Sequence, residues 1–397
     1  MPNSRSIAQG THCAAVVAVC SLLWAGCGNE TTQPAGTHVE YQYRNSHSGA
    51  EKRAEVFVPP VADTVACPLL VYAHYYGGQP KTARELGYHD ECAKRGWYCV
   101  CPLLHGREFV QHPGFGSLEA QHDILDAVAY MRANYRIDST RIYIAGRSMG
   151  GQMAQLMAAK HPDLFAAAVA GQGISDMKSW VESGTRLKQF VEDWVCGGPY
   201  GDSTAFEYAR RSSQSYAVNL QYVPLVLWHG TNDPLVTVEQ TRDLYAAIRK
   251  HSPWHPQPRW FIGAPHGGLR FPVGWICDEL AIHQNTSEPS FEVVGRYFDD
   301  LELVTDEDKA FFWLRLSLRR TGEFGRVSAA LRGDSVVVAS TNLDTVTVLA
   351  GRLADKVQVR AFRAEMGGPG VVCLERGGQT VASAAVSGNG SGTLGDE

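Results

Sequence analysis

The chain has 397 residues, 44% of them hydrophobic and 19% charged, with 40 Gly and 19 Pro, a composition that excludes a disordered, collagen-like or coiled-coil protein. Lys and Arg number 36 against 41 Asp and Glu, a net charge of -5, so no basic field is available to hold nucleic acid or an anionic bilayer. A chain of this length buries a large core and points to about two domains once a targeting segment is set aside.

Residues 1–26 carry Arg5 and then the apolar run Ala14–Ala25, shorter than a membrane-spanning helix requires, and read as an export signal. The run ends Leu22-Leu23-Trp24-Ala25-Gly26-Cys27 and is followed by a polar, turn-rich stretch read as a tether over 27–38. This junction resembles a bacterial lipoprotein cleavage site. The resemblance implies that Cys27 becomes the lipidated first residue, anchoring the protein to the cell envelope, which would be its one contact with a membrane. Ala25 and Gly26 also suit an ordinary signal peptidase, so a periplasmic or secreted protein stays open. Ten Cys occur, seven of them beyond Cys27, and an oxidising compartment predicts one or two disulfides among those seven. Cys99 and Cys101 lie in an apolar strand-like run with no second Cys/His pair at ligand spacing, so they read as buried packing.

From 39 onward the chain alternates strand-sized apolar runs with amphipathic helical ones, the pattern of a mostly parallel sheet with helices on both faces. The predicted strands are Cys67–Tyr75, Gly96–Leu103, Arg141–Ala145, Phe165–Ala170, Pro224–Trp228 and Arg259–Ile262, each nearly continuously apolar as burial on two faces demands. Leu118–Tyr135 and Val238–Lys250 have helical spacing. Helix-like stretches are expected at Phe291–Leu301 and Asp306–Leu318. The expected division is an α/β catalytic domain over 39–320 with a short cap at 172–223, a small β-rich appendage over 321–387, and an unstructured Gly/Ser tail over 388–397.

The strand Arg141–Ala145 runs into Gly146-Arg147-Ser148-Met149-Gly150-Gly151 and then a helical pattern. Glycines flank a serine at a tight strand-to-helix turn because a side chain there would strike the neighbouring strand and helix, and the helix N-terminus faces a developing anion. A serine nucleophile needs a base, and the base needs an orienting carboxylate. Asp233 follows the strand ending at Trp228, and His266 follows the strand ending at Ile262, so three groups at the carboxyl ends of three strands share one crevice. Asp176 is a rival acid that also suits a helix cap. His229 reads as a packed or hydrogen-bonded histidine of its loop. His105, His112 and His122 lack ligand spacing, so neither a metal nor a cofactor is expected. Trp180, Trp194, Tyr200 and Phe206 read as core or cap packing, some of them walling a substrate pocket.

Residues from about 39 to 282 resemble an α/β-hydrolase, specifically the catalytic domain of the prolyl oligopeptidase type. The resemblance rests on the serine elbow and on Tyr135-Arg136-Ile137-Asp138-Ser139-Thr140-Arg141-Ile142, His161-Pro162-Asp163-Leu164-Phe165 and His229-Gly230-Thr231-Asn232-Asp233-Pro234. It implies Ser148 as nucleophile, His266 as general base and acid, and Asp233 as the carboxylate that fixes the imidazole. An oxyanion hole follows, from the Met149 N–H and, in His74-Tyr75-Tyr76-Gly77-Gly78, the Tyr76 hydroxyl; a backbone N–H of Tyr75 or Gly77 is the alternative. The chain has no room for the propeller of prolyl oligopeptidases, which implies an open cleft. Met after the serine resembles feruloyl, acetyl-xylan and other carboxylesterases, so a small-molecule or polymer-linked ester is the expected substrate, with a peptide as the alternative. A non-catalytic surface-binding role for the fold is a further alternative.

Overall fold

The computed structural model describes residues 36–62, 65–104, 114–253, 255–267, 272–285, 299–353 and 358–393. Cys27, the export signal, His105 and His112 lie outside the described residues.

The first sheet holds eight strands: β1 (Thr37–Arg44), β2 (Glu51–Val58), β3 (Cys67–Ala73), β4 (Tyr98–Pro102), β5 (Ile137–Arg147), β6 (Ala167–Gly171), β7 (Leu225–Gly230) and β8 (Arg259–Phe261). Their order is β1-β2-β4-β3-β5-β6-β7-β8. The first two ladders from the β1 edge are antiparallel and the rest parallel. The β1–β2 hairpin was not among the predicted elements, because its strands carry many charged residues and look like surface. Among the described residues the sheet is accompanied by helices α1 (Thr82–Glu85), α2 (Tyr88–Arg95), α3 (Leu118–Asn134), α4 (Met149–Lys160), α5 (Met177–Glu182), α6 (Lys188–Phe190), α7 (Ala205–Arg210), α8 (Glu239–Arg249) and α9 (Val273–Ala281).

Alternation along each central strand divides the core into two layers. Leu69, Val71, Val100, Ile142 and Ile144 pack on one face with residues of α3, α4 and α8. Leu70, Tyr72, Cys99, Cys101 and Tyr143 pack on the other with residues of α2 and α9. Cys99 and Cys101 thus serve as buried packing on one face. All seven described cysteines are unpaired, which corrects the expectation of disulfides: a core filled on both faces leaves no need for a covalent staple.

The second sheet contains β9 (Asp300–Thr305), β10 (Lys309–Phe311), β11 (Leu314–Leu318), β12 (Gly325–Arg332), β13 (Ser335–Thr341), β14 (Leu343–Leu349), β15 (Ala361–Arg376) and β16 (Gln379–Thr393). Their path is β10-β11-β14-β15-β13-β12-β9, with β16 on β15. It begins at Asp300, upstream of the boundary expected at 321. The helix expected over 306–318 is instead the β10–β11 hairpin, where Leu314 and Leu316 point inward and Arg315 outward. Period-two burial outweighs the dense apolar content that looked helical, and Phe312 makes the turn at φ 46°. The tail expected from 388 is paired to β15 as far as Thr393, because the long β15 edge offers backbone partners whatever the side chains. The sheet is mixed: β15 pairs β13 and β14 in parallel, and the other ladders are antiparallel.

Both sheets belong to one compact unit. Asn219, fully buried, donates to the carbonyls of Ala159 (2.9 Å) and Val304 (2.8 Å) and accepts from the Val304 N–H (2.8 Å), joining α4 to β9. Beside it, Asp306 meets Lys160 at 2.8 Å and Arg210 at 3.0 Å.

Candidate active site

Ser148 sits between β5 and α4 with φ 59° and ψ -126°, a conformation an L-residue holds only under constraint. The constraint is close approach: a Cβ on Gly146 would overlap the Gly150 carbonyl, and one on Gly150 would overlap the carbonyl of Ala73 in β3. The Ser148 side chain makes no capping bond to α4, which leaves its hydroxyl for another partner. That partner is His266, whose Nε2 lies 2.9 Å from Ser148 Oγ.

His266 follows β8, and its Nδ1 lies 2.6 Å from Asp233 Oδ2. Asp233 follows β7, and its Oδ1 accepts the N–H groups of Leu235 (2.9 Å) and Val236 (3.0 Å). Burial pushes the Asp233 carboxyl up, but hydrogen bonds from His229, His266 and the Val236 N–H outweigh it and hold the group below the usual carboxylate range. An ionised carboxylate only accepts, so His266 Nδ1 carries the proton and Nε2 presents a lone pair to the Ser148 hydroxyl. The three side chains predicted from separate strand ends therefore meet in one hydrogen-bonded line.

This line opens into a pocket of about 230 Å³ walled by Tyr75, Tyr76, Phe115, Trp180 and Leu235. The Tyr76 ring packs 5.2 Å from Phe115 and 5.8 Å from Phe190. Burial raises the Tyr76 phenol, keeping it a protonated donor. Met149 opens α4 and is buried. Of the predicted aromatics, Trp180 is buried and lines the pocket, whereas Trp194 and Tyr200 are exposed and Phe206 packs on Phe324.

The competing residues are engaged elsewhere. Asp176 caps α5, its Oδ1 accepting the Ser179 N–H at 2.6 Å. His229 is buried, with Nδ1 2.7 Å from Thr241 Oγ1 and Nε2 2.8 Å from the Val236 carbonyl; Nε2 also lies 3.3 Å from Asp233 Oδ2, so this histidine buttresses the acid. His122 pairs with Ser46 Oγ at 2.7 Å. Among the described residues one group has metal-ligand character, His38, Glu55 and His89, on the β1–β2 side of the sheet. Its two Nδ1 atoms already face each other at 2.9 Å, and Arg84 donates to both Glu55 oxygens.

One site residue escaped prediction. Gln172, just past β6 and fully buried, sends its Nε2 to Asp233 Oδ2 at 2.9 Å. The available signal was a large polar residue between two glycines, Gly171-Gln172-Gly173, directly after a predicted core strand.

Residues 117–281 match the model of the prolyl oligopeptidase family. The chain is 24% identical over 178 residues to feruloyl esterase B of Talaromyces funiculosus, covering 43% of this chain and 50% of the esterase. It is 26% identical over 263 residues to dipeptidyl-peptidase 5 of Porphyromonas gingivalis, covering 60% of this chain and 37% of the peptidase. The chain thus spans about half or less of the length of these curated relatives. An S-formylglutathione hydrolase structure from Agrobacterium tumefaciens superposes with a TM-score of 0.50 at 20% identity, covering 62% of this chain and 94% of the hydrolase. The fold is that of an α/β-hydrolase, and residues 117–281 form a segment similar to the prolyl oligopeptidase family.

Proposed function

We propose that the protein is an exported hydrolase of carboxylic esters that works through an acyl-enzyme. The observation that carries this reading is the line Ser148 Oγ, His266 Nε2 at 2.9 Å, and Asp233 at 2.6 Å from His266 Nδ1, opening onto an aromatic pocket. Ser148 Oγ attacks the ester carbonyl as its proton passes to His266 Nε2. Asp233 keeps the imidazole in the required tautomer and favours the imidazolium that forms. The Met149 N–H and the Tyr76 hydroxyl hold the oxyanion. Collapse breaks the C–O bond, and His266 returns the proton to the departing alcohol. Water then repeats the sequence on the acyl-serine, releasing the acid and restoring Ser148.

Ester over amide is favoured by Met149 after the nucleophile and by the match to a feruloyl esterase. A serine peptidase of the prolyl oligopeptidase type is the second reading, favoured by the longer match to a dipeptidyl-peptidase. Turnover of p-nitrophenyl acetate and butyrate, measured beside aminoacyl p-nitroanilides, tests the choice. Faster ester turnover is expected; faster anilide turnover transfers the assignment to the peptidase. Export and an anchor at Cys27 complete the proposal. Palmitate-analogue labelling should be lost in Cys27→Ala, and equal labelling of that variant would reject the anchor.

A further inference from the structure

Gln172 stands in a place that the sheet leaves poorly supported. β8, which leads into His266, has three residues and, among the described residues, lies at the edge of the sheet with β7 as its one partner strand. The start of the turn after it is tied down by backbone, through Thr231 N–H to the Phe261 carbonyl and Asn232 N–H to the Ala264 carbonyl. The backbone on either side of His266, at Pro265 and Gly267, is gripped by a side chain from a different strand end. Gln172 Nε2 donates to the Pro265 carbonyl at 3.0 Å, and Gln172 Oε1 accepts the Gly267 N–H at 3.1 Å. The same Nε2 donates to Asp233 Oδ2 at 2.9 Å. A single amide therefore grips the residue before His266, the residue after it, and the carboxylate that orients it.

The polarity of this grip is determined, since the Pro265 carbonyl and the ionised Asp233 carboxylate can only accept and the Gly267 N–H can only donate. Neither the shorter Asn nor a carboxylate reproduces it: the first lacks reach, the second lacks the NH2. The backbone is shaped for it as well. Gln172 has φ 48°, a left-handed conformation uncommon outside glycine, and its N–H donates to the Trp228 carbonyl at 2.9 Å. A Cβ on Gly171 would overlap the Trp228 ring, and one on Gly173 would sit 2.6 Å from the Gly151 carbonyl carbon. The chain is pressed against β7 and the serine elbow so that this amide reaches the crevice.

We propose that Gln172 is a positioning residue, which sets the angle between Asp233 and His266 and so the aim of Nε2 at Ser148. This rests on the reading of Ser148, His266 and Asp233 as the reacting line. Gln172→Asn is the main test, because asparagine accepts a left-handed backbone while falling a methylene short. The expected result is a thermal midpoint like that of the parent, KM within about twofold, and kcat lower by about 10- to 100-fold, the cost of a misplaced base. The low-field proton NMR signal of the His266 Nδ1–H should shift or broaden. Unchanged kcat and an unchanged signal overturn the proposal. Should Gln172→Asn fail to fold, Gln172→Glu, equal in length but without the NH2, is read by the same criteria. Labelling of Ser148 in the parent protein by a fluorophosphonate separates the two ideas. No labelling removes the hydrolytic reading, and the NMR signal, which needs no turnover, still decides whether Gln172 holds His266.

Discussion

Helix α4 has a buried carboxylate at each end. Near its last residue, Lys160, lies Asp306, ion-paired to Lys160 and Arg210. Near its first turn, through His266, lies Asp233. Burial pushes both carboxyls up, and in both the partners win, so each stays below its usual range. The difference lies in the partners. Asp306 is held by side-chain cations including an arginine, which does not release its proton in proteins. Asp233 meets an imidazole, the side chain whose charge changes most readily near neutrality. The same buried anion is a fastener in one place and, in the proposed mechanism, the group that orients the base in the other.

The contrast can be broken most sharply at Ser148. Ser148→Ala is expected to lower kcat by about 10⁴- to 10⁶-fold with an unchanged thermal midpoint; residual turnover near the parent value would remove the relay. Asp233→Asn should cost on the order of 10⁴ in kcat, measured under saturating ester, because the amide admits the wrong imidazole tautomer. At the other end, Lys160→Met leaves Asp306 buried with fewer cations and should destabilise the fold by about 3–5 kcal/mol, read from urea unfolding, while activity per folded molecule persists. A large loss of kcat there, without loss of stability, would erase the distinction. Tyr76→Phe removes one hydroxyl and is expected to lower kcat by about 10²-fold with KM little changed; parent-like kcat would transfer the donor role to a backbone N–H.

Acid gives the smallest effect and acts on fasteners first. His89 is pushed by burial to about 3, while the unfolded chain binds that proton at about 6.5. The folded state thus binds fewer protons, and stability present above about pH 6.5 is lost as pH falls toward 3. Asp306 and Glu307, also depressed, add losses below about pH 4. The urea midpoint should decline from pH 6.5 to 4.5, with a shallower slope in His89→Asn.

Much of the site was legible because each member of the line sits directly after a run that only a buried strand would carry. Ser148, Asp233 and His266 follow β5, β7 and β8, and a parallel sheet brings those ends together. Gln172 was not legible in the same way. It lies 61 residues from Asp233 and 93 from Pro265, and the reason for its polarity exists only after folding. The second sheet was harder still. The β10–β11 hairpin runs Phe311-Phe312-Trp313-Leu314 through its turn, an apolar stretch that local pattern reads as helix as easily as strand. Pairing of β15 with both β13 and β14 involves no local signal at all.

The unpaired cysteines have a practical consequence. Six of the seven described thiols are buried, and burial raises those of Cys99, Cys101 and Cys277, which suppresses the reactive thiolate. Reductants should therefore leave the fold of the described residues intact. The same thiols form a native set of reporters: alkylation, blocked in the closed molecule, would register how often the interior opens.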